Sequence, residues 1–226
     1  MNSTILSPLL LSLKVAGWAT LLALLLAGAL AQLLARRRFP GRDLLETLLT
    51  LPMVLPPTVL GYYLLVLFGR ASPLGAWFDR QGLPLVFSWQ GAVVAATVVA
   101  FPLILKPARA AFAAVEPQLE DAARCLGLSG PAIFWRVTLP LAWRGILAGT
   151  LLAFARALGE FGATLMLAGS IPGQTQTLSI AIYEAVMAGR DGDANRLVLI
   201  ISVVCIGLLL GLSRLAAGPA TSRELR

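Results

Sequence analysis

The sequence predicts an all-α, polytopic bundle of membrane-spanning helices in a single domain, and three observations carry that prediction. First, 58% of the 226 residues are hydrophobic and only 13% are charged, whereas a soluble domain keeps a charged skin of about 25%. Second, the apolar residues come in runs of the roughly 20 residues that a helix needs to cross a bilayer. Third, the basic residues flank those runs, as the positive-inside rule requires of a membrane protein. The formal charge of +7 therefore points to membrane lipid as the surroundings and not to nucleic acid as a partner.

Five runs qualify as spans: Val15–Ala35, Leu48–Phe68, Leu85–Leu105, Leu141–Gly162 and Leu197–Ala217. The first is too long for a signal-peptide core and is followed by Arg36, Arg37 and Arg38 instead of a small-residue cleavage site, so it is expected to be retained. Twelve basic residues fall on one side: Arg36, Arg37, Arg38 and Arg42; Lys106, Arg109, Arg124, Arg136 and Arg144; Arg214, Arg223 and Arg226. Five fall on the other: Lys14, Arg70, Arg80, Arg190 and Arg196. The richer side is expected to be cytoplasmic, which places the N-terminus outside and the C-terminus inside. The stretch Leu178–Ala188 is short and holds Glu184, so an external surface helix or re-entrant half-span is expected there. A full sixth span would send Arg223 and Arg226 outside.

Several chemistries are excluded. No histidine is present, which removes the commonest general base and zinc ligand. Lys14 and Lys106 each follow a leucine, so the Gly-Lys of a phosphate-binding loop is missing. Gly127-Leu128-Ser129-Gly130 fits a serine-protease pattern, but a nucleophilic serine needs a base. Asp191, Asp193 and Asn195 start a calcium-loop pattern that Arg196 and Ser202 break. Asn2-Ser3-Thr4 matches a glycosylation sequon weakly. Cys125 and Cys205 fit no metal or redox spacing and are expected to be free thiols. Neither catalytic residues nor a bound cofactor or metal is expected on this chain.

The most informative segment lies in the cytoplasmic loop 106–140. Pro117 suits a helix start, with Glu116, Glu120 and Asp121 near its positive end. Gly127 is expected to break that helix. Ser129 is expected to cap a second short helix with Pro131 in its first turn. Ile133, Phe134 and Trp135 would give this helix a bulky apolar face, and Pro140 would end the unit. An amphipathic helix of this kind can dock in a groove on a partner or lie among lipid headgroups.

The segment resembles the EAA loop of binding-protein-dependent ABC importer permeases. That pattern is Glu-Ala-Ala, three residues, Gly, nine residues, Ile, any residue, Leu-Pro. Here Asp121-Ala122-Ala123 is followed at the same spacings by Gly127, Val137, Thr138 and Leu139-Pro140. Asp121 replaces Glu and Val137 replaces Ile, and Glu120 leaves two acids as candidates for the family's contact. The resemblance implies that the loop docks on a separate ATPase subunit. The coupling residues it assigns are Glu120, Asp121, Ala122, Ala123, Gly127, Ser129, Phe134, Trp135, Leu139 and Pro140.

Two more segments resemble the molybdate permeases in particular. One runs from Leu51 through Pro52, Pro56, Pro57, Thr58 and Gly61 to Tyr63; the other runs from Phe154 through Arg156, Gly159, Glu160, Phe161 and Gly162 to Thr164, followed by Ile171-Pro172-Gly173 and Thr175-Gln176-Thr177-Leu178. Sulfate and tungstate permeases share much of both. The resemblance implies a homodimer in the bacterial inner membrane, two ATP-binding cassette subunits that hold ATP-Mg, and an external oxyanion-binding protein.

Prolines in span two kink the helix and can expose carbonyls along a translocation path, or serve packing alone. Arg156 and Glu160 stand four apart, so they can pair. Such a pair either faces the path or neutralises itself to fix packing, and an acid there argues against a tight oxyanion site. The candidate path residues are Pro52, Pro56, Pro57, Thr58, Gly61, Arg156, Glu160 and Thr164. An ion-driven carrier is the alternative of another class, and it would need no ATPase partner. GxxxG patterns at Gly145/Gly149 and Gly207/Gly211 are expected to pack helices within the chain.

Overall fold

A computed structural model describes residues 3–216. Arg223 and Arg226, Ala217 at the expected end of span five, and Asn2 of the sequon lie outside the described residues. Every regular element among the described residues is helical. α1 covers Ser3–Arg36, α2 Arg42–Thr50, α3 Pro57–Phe68, α4 Pro73–Arg80, and α5 Trp89–Ala113. α6 (Pro117–Cys125) and α7 (Gly130–Ile133) follow, and a π-helical segment, Phe134–Thr138, joins α7 to α8 (Leu139–Leu158). α9 (Gly162–Ala168), α10 (Leu178–Met187) and α11 (Asp191–Ala216) complete the order.

α5 is the centre of the bundle. On one side it receives α1 through a stripe of alanines: Ala16, Ala19, Ala23, Ala27 and Ala31 are fully buried, as are Ala92, Ala96, Ala100 and Ala108 of α5. Lipid offers no hydrophobic drive between helices, so such pairs depend on close backbone approach, which small residues permit. The two helices run parallel. Lys14 Nζ sits 3.6 Å over the Trp89 ring at one end, and Arg36 Nη1 lies 3.4 Å from the Val115 carbonyl at the other. On its other side α5 packs antiparallel against α8. A Cβ added at Gly145 would meet the Ala111 Cβ at 2.6 Å, and one at Gly149 the Leu103 carbonyl oxygen at 2.9 Å. This GxxxG works within the chain as expected. At the other, an added Cβ at Gly207 or Gly211 would meet no atom within 4 Å among the described residues.

Among the described residues, three helices are individually long and apolar enough to cross a membrane: Leu6–Arg36, Trp89–Ala113 and the continuous Gly130–Leu158. The expected span Leu48–Phe68 is instead a bent pair, Arg42–Met53 and Pro57–Phe68, meeting at 110°. Three prolines explain the break. Pro52 enters a 3₁₀ turn, Pro56 is extended at ψ 136°, and Pro57 starts the next helix; a proline suits the first turn of a helix, and three of them within six residues remove too many backbone donors for one helix to run through.

The expected span Leu141–Gly162 also differs. α8 stops at Leu158, and α9 restarts after Gly159, Glu160 and Phe161. Glu160 Oε1 accepts the Ala163 N–H at 2.9 Å, so its carboxylate satisfies a free donor in the first turn of α9. α10 has 10 residues, about 15 Å of helix, and cannot cross a core of about 30 Å. It is held at its start where the Leu178 N–H donates to Ser12 Oγ at 2.7 Å.

Candidate functional site: coupling loop and membrane path

The two short helices beyond α5 form as their residues dictate. Pro117 opens α6 after an extended Glu116. Gly127 turns the chain at φ +83°, a left-handed conformation that costs other residues about 1–2 kcal/mol. Two expectations need correction. Ser129 precedes α7, but its side chain makes no capping hydrogen bond. Pro140 does not end the unit, because the helix runs unbroken from Gly130 to Leu158. Through the π-helical segment the Leu139 N–H bonds back to the Phe134 carbonyl, and this wider turn precedes the proline that lacks an N–H.

The unit divides into an inward and an outward face. Ala123 and Ile133 are buried. Phe134 is not offered outward as expected but packs on Phe112, ring centroids 6.2 Å apart, because successive helical residues point about 100° apart. Outward stand Asp121, Ala122, Ser129 and Pro140, together with Leu126 at 83% and Trp135 at 67% exposure. Leu139 is partly buried against the core.

The two neighbouring acids do different things. Glu120 Oε1 accepts Arg36 Nη2 at 2.5 Å and the Thr138 hydroxyl at 2.6 Å, which ties α6 to the end of α1 and to the start of α8. Asp121 is exposed and pairs only locally, with Arg124 at 2.5 Å. Glu120 is therefore engaged within the chain, and Asp121 faces out. A cleft of about 590 Å³ opens beside this hub, with Arg36, Arg37, Glu120 and Arg124 on its walls. A second ion pair, Arg109 with Glu46, ties α5 to α2 at the same end.

The path candidates meet around the break in the bent pair. Pro52, Leu55 and Pro57 line a cavity of about 190 Å³ with Val99 and Leu103 of α5 and Arg156 of α8. Arg156 Nη1 lies 2.7 Å from Glu160 Oε2. The contact is ionic: Oε2 accepts no well-aligned hydrogen bond. Pro56 and Thr58 are exposed at the bend but are not on the cavity wall. Gly61 and Thr164 serve packing. A Cβ at Gly61 would lie 2.9 Å from the Ala163 Cα, and Thr164 is 1% exposed.

The family model described as "binding-protein-dependent transport system inner membrane component" matches residues 9–223. The chain belongs to this family. As such an inner membrane component it is a multi-pass membrane protein, and the family's part in transport is the membrane one and not the catalytic one. It is 46% identical to the molybdenum transport system permease protein ModB of Escherichia coli K12 over 204 residues, 89% of each chain. It is 43% identical to the protein of the same name from Haemophilus influenzae over 202 residues, 88% of each. Its fold matches that of a bacterial ABC transporter involved in alginate import, with a TM-score of 0.74 at 16% identity, over 97% of this chain and 81% of that one.

Sequence reasoning missed two members of the hub of this inner membrane component. Arg36 counted only as a topological charge, and Thr138 only as the free position of the EAA pattern. Arg36 and Glu120 are 84 positions apart, and no local spacing links them. Thr138 has the one local signal, since it is a hydroxyl between the apolar Val137 and Leu139 at the start of α8.

Proposed function

We propose that this chain is the membrane-spanning permease subunit of an ATP-driven molybdate importer. It works as a homodimer with two ATP-binding cassette subunits, which carry the ATP-Mg, and with an external molybdate-binding protein. The observation that carries the mechanism is the coupling unit: two short helices joined at Gly127, braced on α1 and α8 through Glu120, and presenting Asp121, Leu126 and Trp135 outward. Exposed apolar side chains beside a charge are what a docking groove on a partner takes up. The choice of molybdate rests on the relatives of that name.

In this reading α1, the bent pair, α5, α8 with α9, and α11 make five crossings, with the N-terminus outside and the C-terminus in the cytoplasm. The parallel run of α1 and α5 supports it, because one return crossing must lie between them. When the ATPase subunits close on ATP, they displace the two short helices. Because Glu120 joins these to Arg36 and Thr138, the displacement is passed to the ends of α1 and α8, and the path between protomers switches its open side.

The test is to reconstitute the complex with its binding protein and measure ATP hydrolysis with molybdate, tungstate or sulfate. Molybdate-loaded binding protein should stimulate hydrolysis most. Stimulation by sulfate alone would reassign the oxyanion. Uptake by a permease that binds no ATPase subunit and follows an ion gradient would overturn the importer reading.

A further inference from the structure

We propose that Arg156 is a transient contact for the transported oxyanion within the membrane, and that Glu160 is its built-in counter-charge. The proposal rests on the oxyanion-importer reading above and adds a site to it. Val99, on the wall of the 190 Å³ cavity, is ten residues along α5 from Trp89. At 1.5 Å per residue that is about 15 Å, half the depth of a hydrocarbon core of about 30 Å. In the five-crossing reading the cavity and Arg156 therefore lie near the middle of the crossing that α5 (Trp89–Ala113) makes, where a charge is costly and faces a cavity or a partner.

The two members of the pair are unequally placed. The Glu160 side chain is 1% exposed and that of Arg156 is 38% exposed. Glu160 is fixed: one oxygen holds the Ala163 N–H at 2.9 Å and the other lies against Arg156. Arg156 is always protonated and carries five N–H donors. Among the described residues, its contact with Glu160 is the only polar one it makes within the chain, so donors remain for a ligand. The rest of the wall offers little competition. Pro52 and Pro57 lack an N–H, and Met53, Leu55, Val99 and Leu103 carry apolar side chains. The cavity holds the volume of about six waters at roughly 30 Å³ each, which is room for a small tetrahedral oxyanion.

A bare guanidinium at this depth would hold a divalent oxyanion too firmly to pass it on. Passage needs contact favourable enough to enter and weak enough to leave. The fixed carboxylate of Glu160 lowers the net positive field and takes the guanidinium back once the anion has gone. No covalent step is involved.

The test uses the complex in proteoliposomes with molybdate-loaded binding protein, and reads molybdate uptake per ATP hydrolysed. That ratio does not depend on how much complex assembles, and retained stimulation of hydrolysis by loaded binding protein shows that the ATPase contact is intact. In the double variant Arg156→Gln/Glu160→Gln the charge pair is gone, and the amide carbonyl introduced by the isosteric Glu160→Gln can still accept the Ala163 N–H. Uptake per ATP should fall on the order of tenfold or more, the loss expected for hydrogen bonds to a charged group. An unchanged ratio would show the pair to be structural only and overturn the proposal. If the double variant does not assemble, Arg156→Lys decides, since lysine keeps the charge pair but loses the fork. A severalfold lower ratio is expected, and a wild-type ratio overturns the proposal. Failure of the wild-type complex to take up molybdate, tungstate or sulfate would instead sink the importer reading beneath it.

Discussion

Arg36, the last residue of α1, and Glu120, in the first turn of α6, meet at 2.5 Å, and the same carboxylate oxygen also takes the Thr138 hydroxyl at 2.6 Å. The end of α1, α6 and the start of α8 thus share one acceptor. Their side chains are mostly enclosed, with 24% and 12% exposure for the ion pair. Removing one partner leaves the other unpaired, at a cost of about 1–3 kcal/mol. Arg36→Gln and Glu120→Gln should each lower the melting temperature of the purified permease and blunt stimulated ATP hydrolysis, and the double variant should lose less than the sum. Additive losses in that cycle would show that the two residues act separately.

The turn between the short helices makes a second prediction. A Cβ added at Gly127 would touch nothing within 4 Å, so the cost of substitution lies in its φ of +83° alone. Gly127→Ala should be milder than Gly127→Val, whose branched side chain tolerates that region less. Trp135→Ala should weaken ATPase binding by on the order of 2 kcal/mol, the usual loss at a buried aromatic anchor. Membrane abundance should stay normal in all three, and co-purification of the ATPase should fall for Gly127→Val and Trp135→Ala. Normal binding by both would mean that this loop is not the coupling element.

Topology can be tested with a thiol the protein already has. Cys125 is free and exposed, and Cys205 is partly enclosed. In a Cys205→Ser background, an impermeant maleimide should label Cys125 in inside-out vesicles and not in intact cells. A cysteine at the exposed position Gln81, in a Cys125→Ser/Cys205→Ser background, should show the reverse. Labelling of Cys125 from outside would invert the orientation.

The two glycine pairs should respond differently. Gly149→Val would drive a side chain into the Leu103 carbonyl and the Pro107 ring, an overpacking of the kind that costs about 1–3 kcal/mol. Permease levels in the membrane should drop. A Cβ added at Gly207 meets nothing within 4 Å among the described residues, so Gly207→Val should leave those levels unchanged. Equal loss at both positions would contradict the packing described for α8 against α5.

What the sequence by itself determined is the class and the outline of the two short helices in the loop 106–140. Apolar runs and flanking arginines follow from the energetics of lipid and need no tertiary partner to be legible. The Pro117 start, the Gly127 turn and the spacing to Leu139-Pro140 are local in the same sense, since dihedral preferences act within a few residues. The tertiary structure decided what depends on neighbours from elsewhere in the chain. Adjacent acids of the same chemistry took opposite roles because Arg36 and Thr138 reach only Glu120. Phe134 turned inward because Phe112 was there to receive it. Span two broke by 110° where the sequence showed only that a kink was due, because prolines interrupt a helix without specifying where the next segment packs. The alanine stripe of α1 gained meaning only against α5, since small residues mark a close approach but do not name the partner.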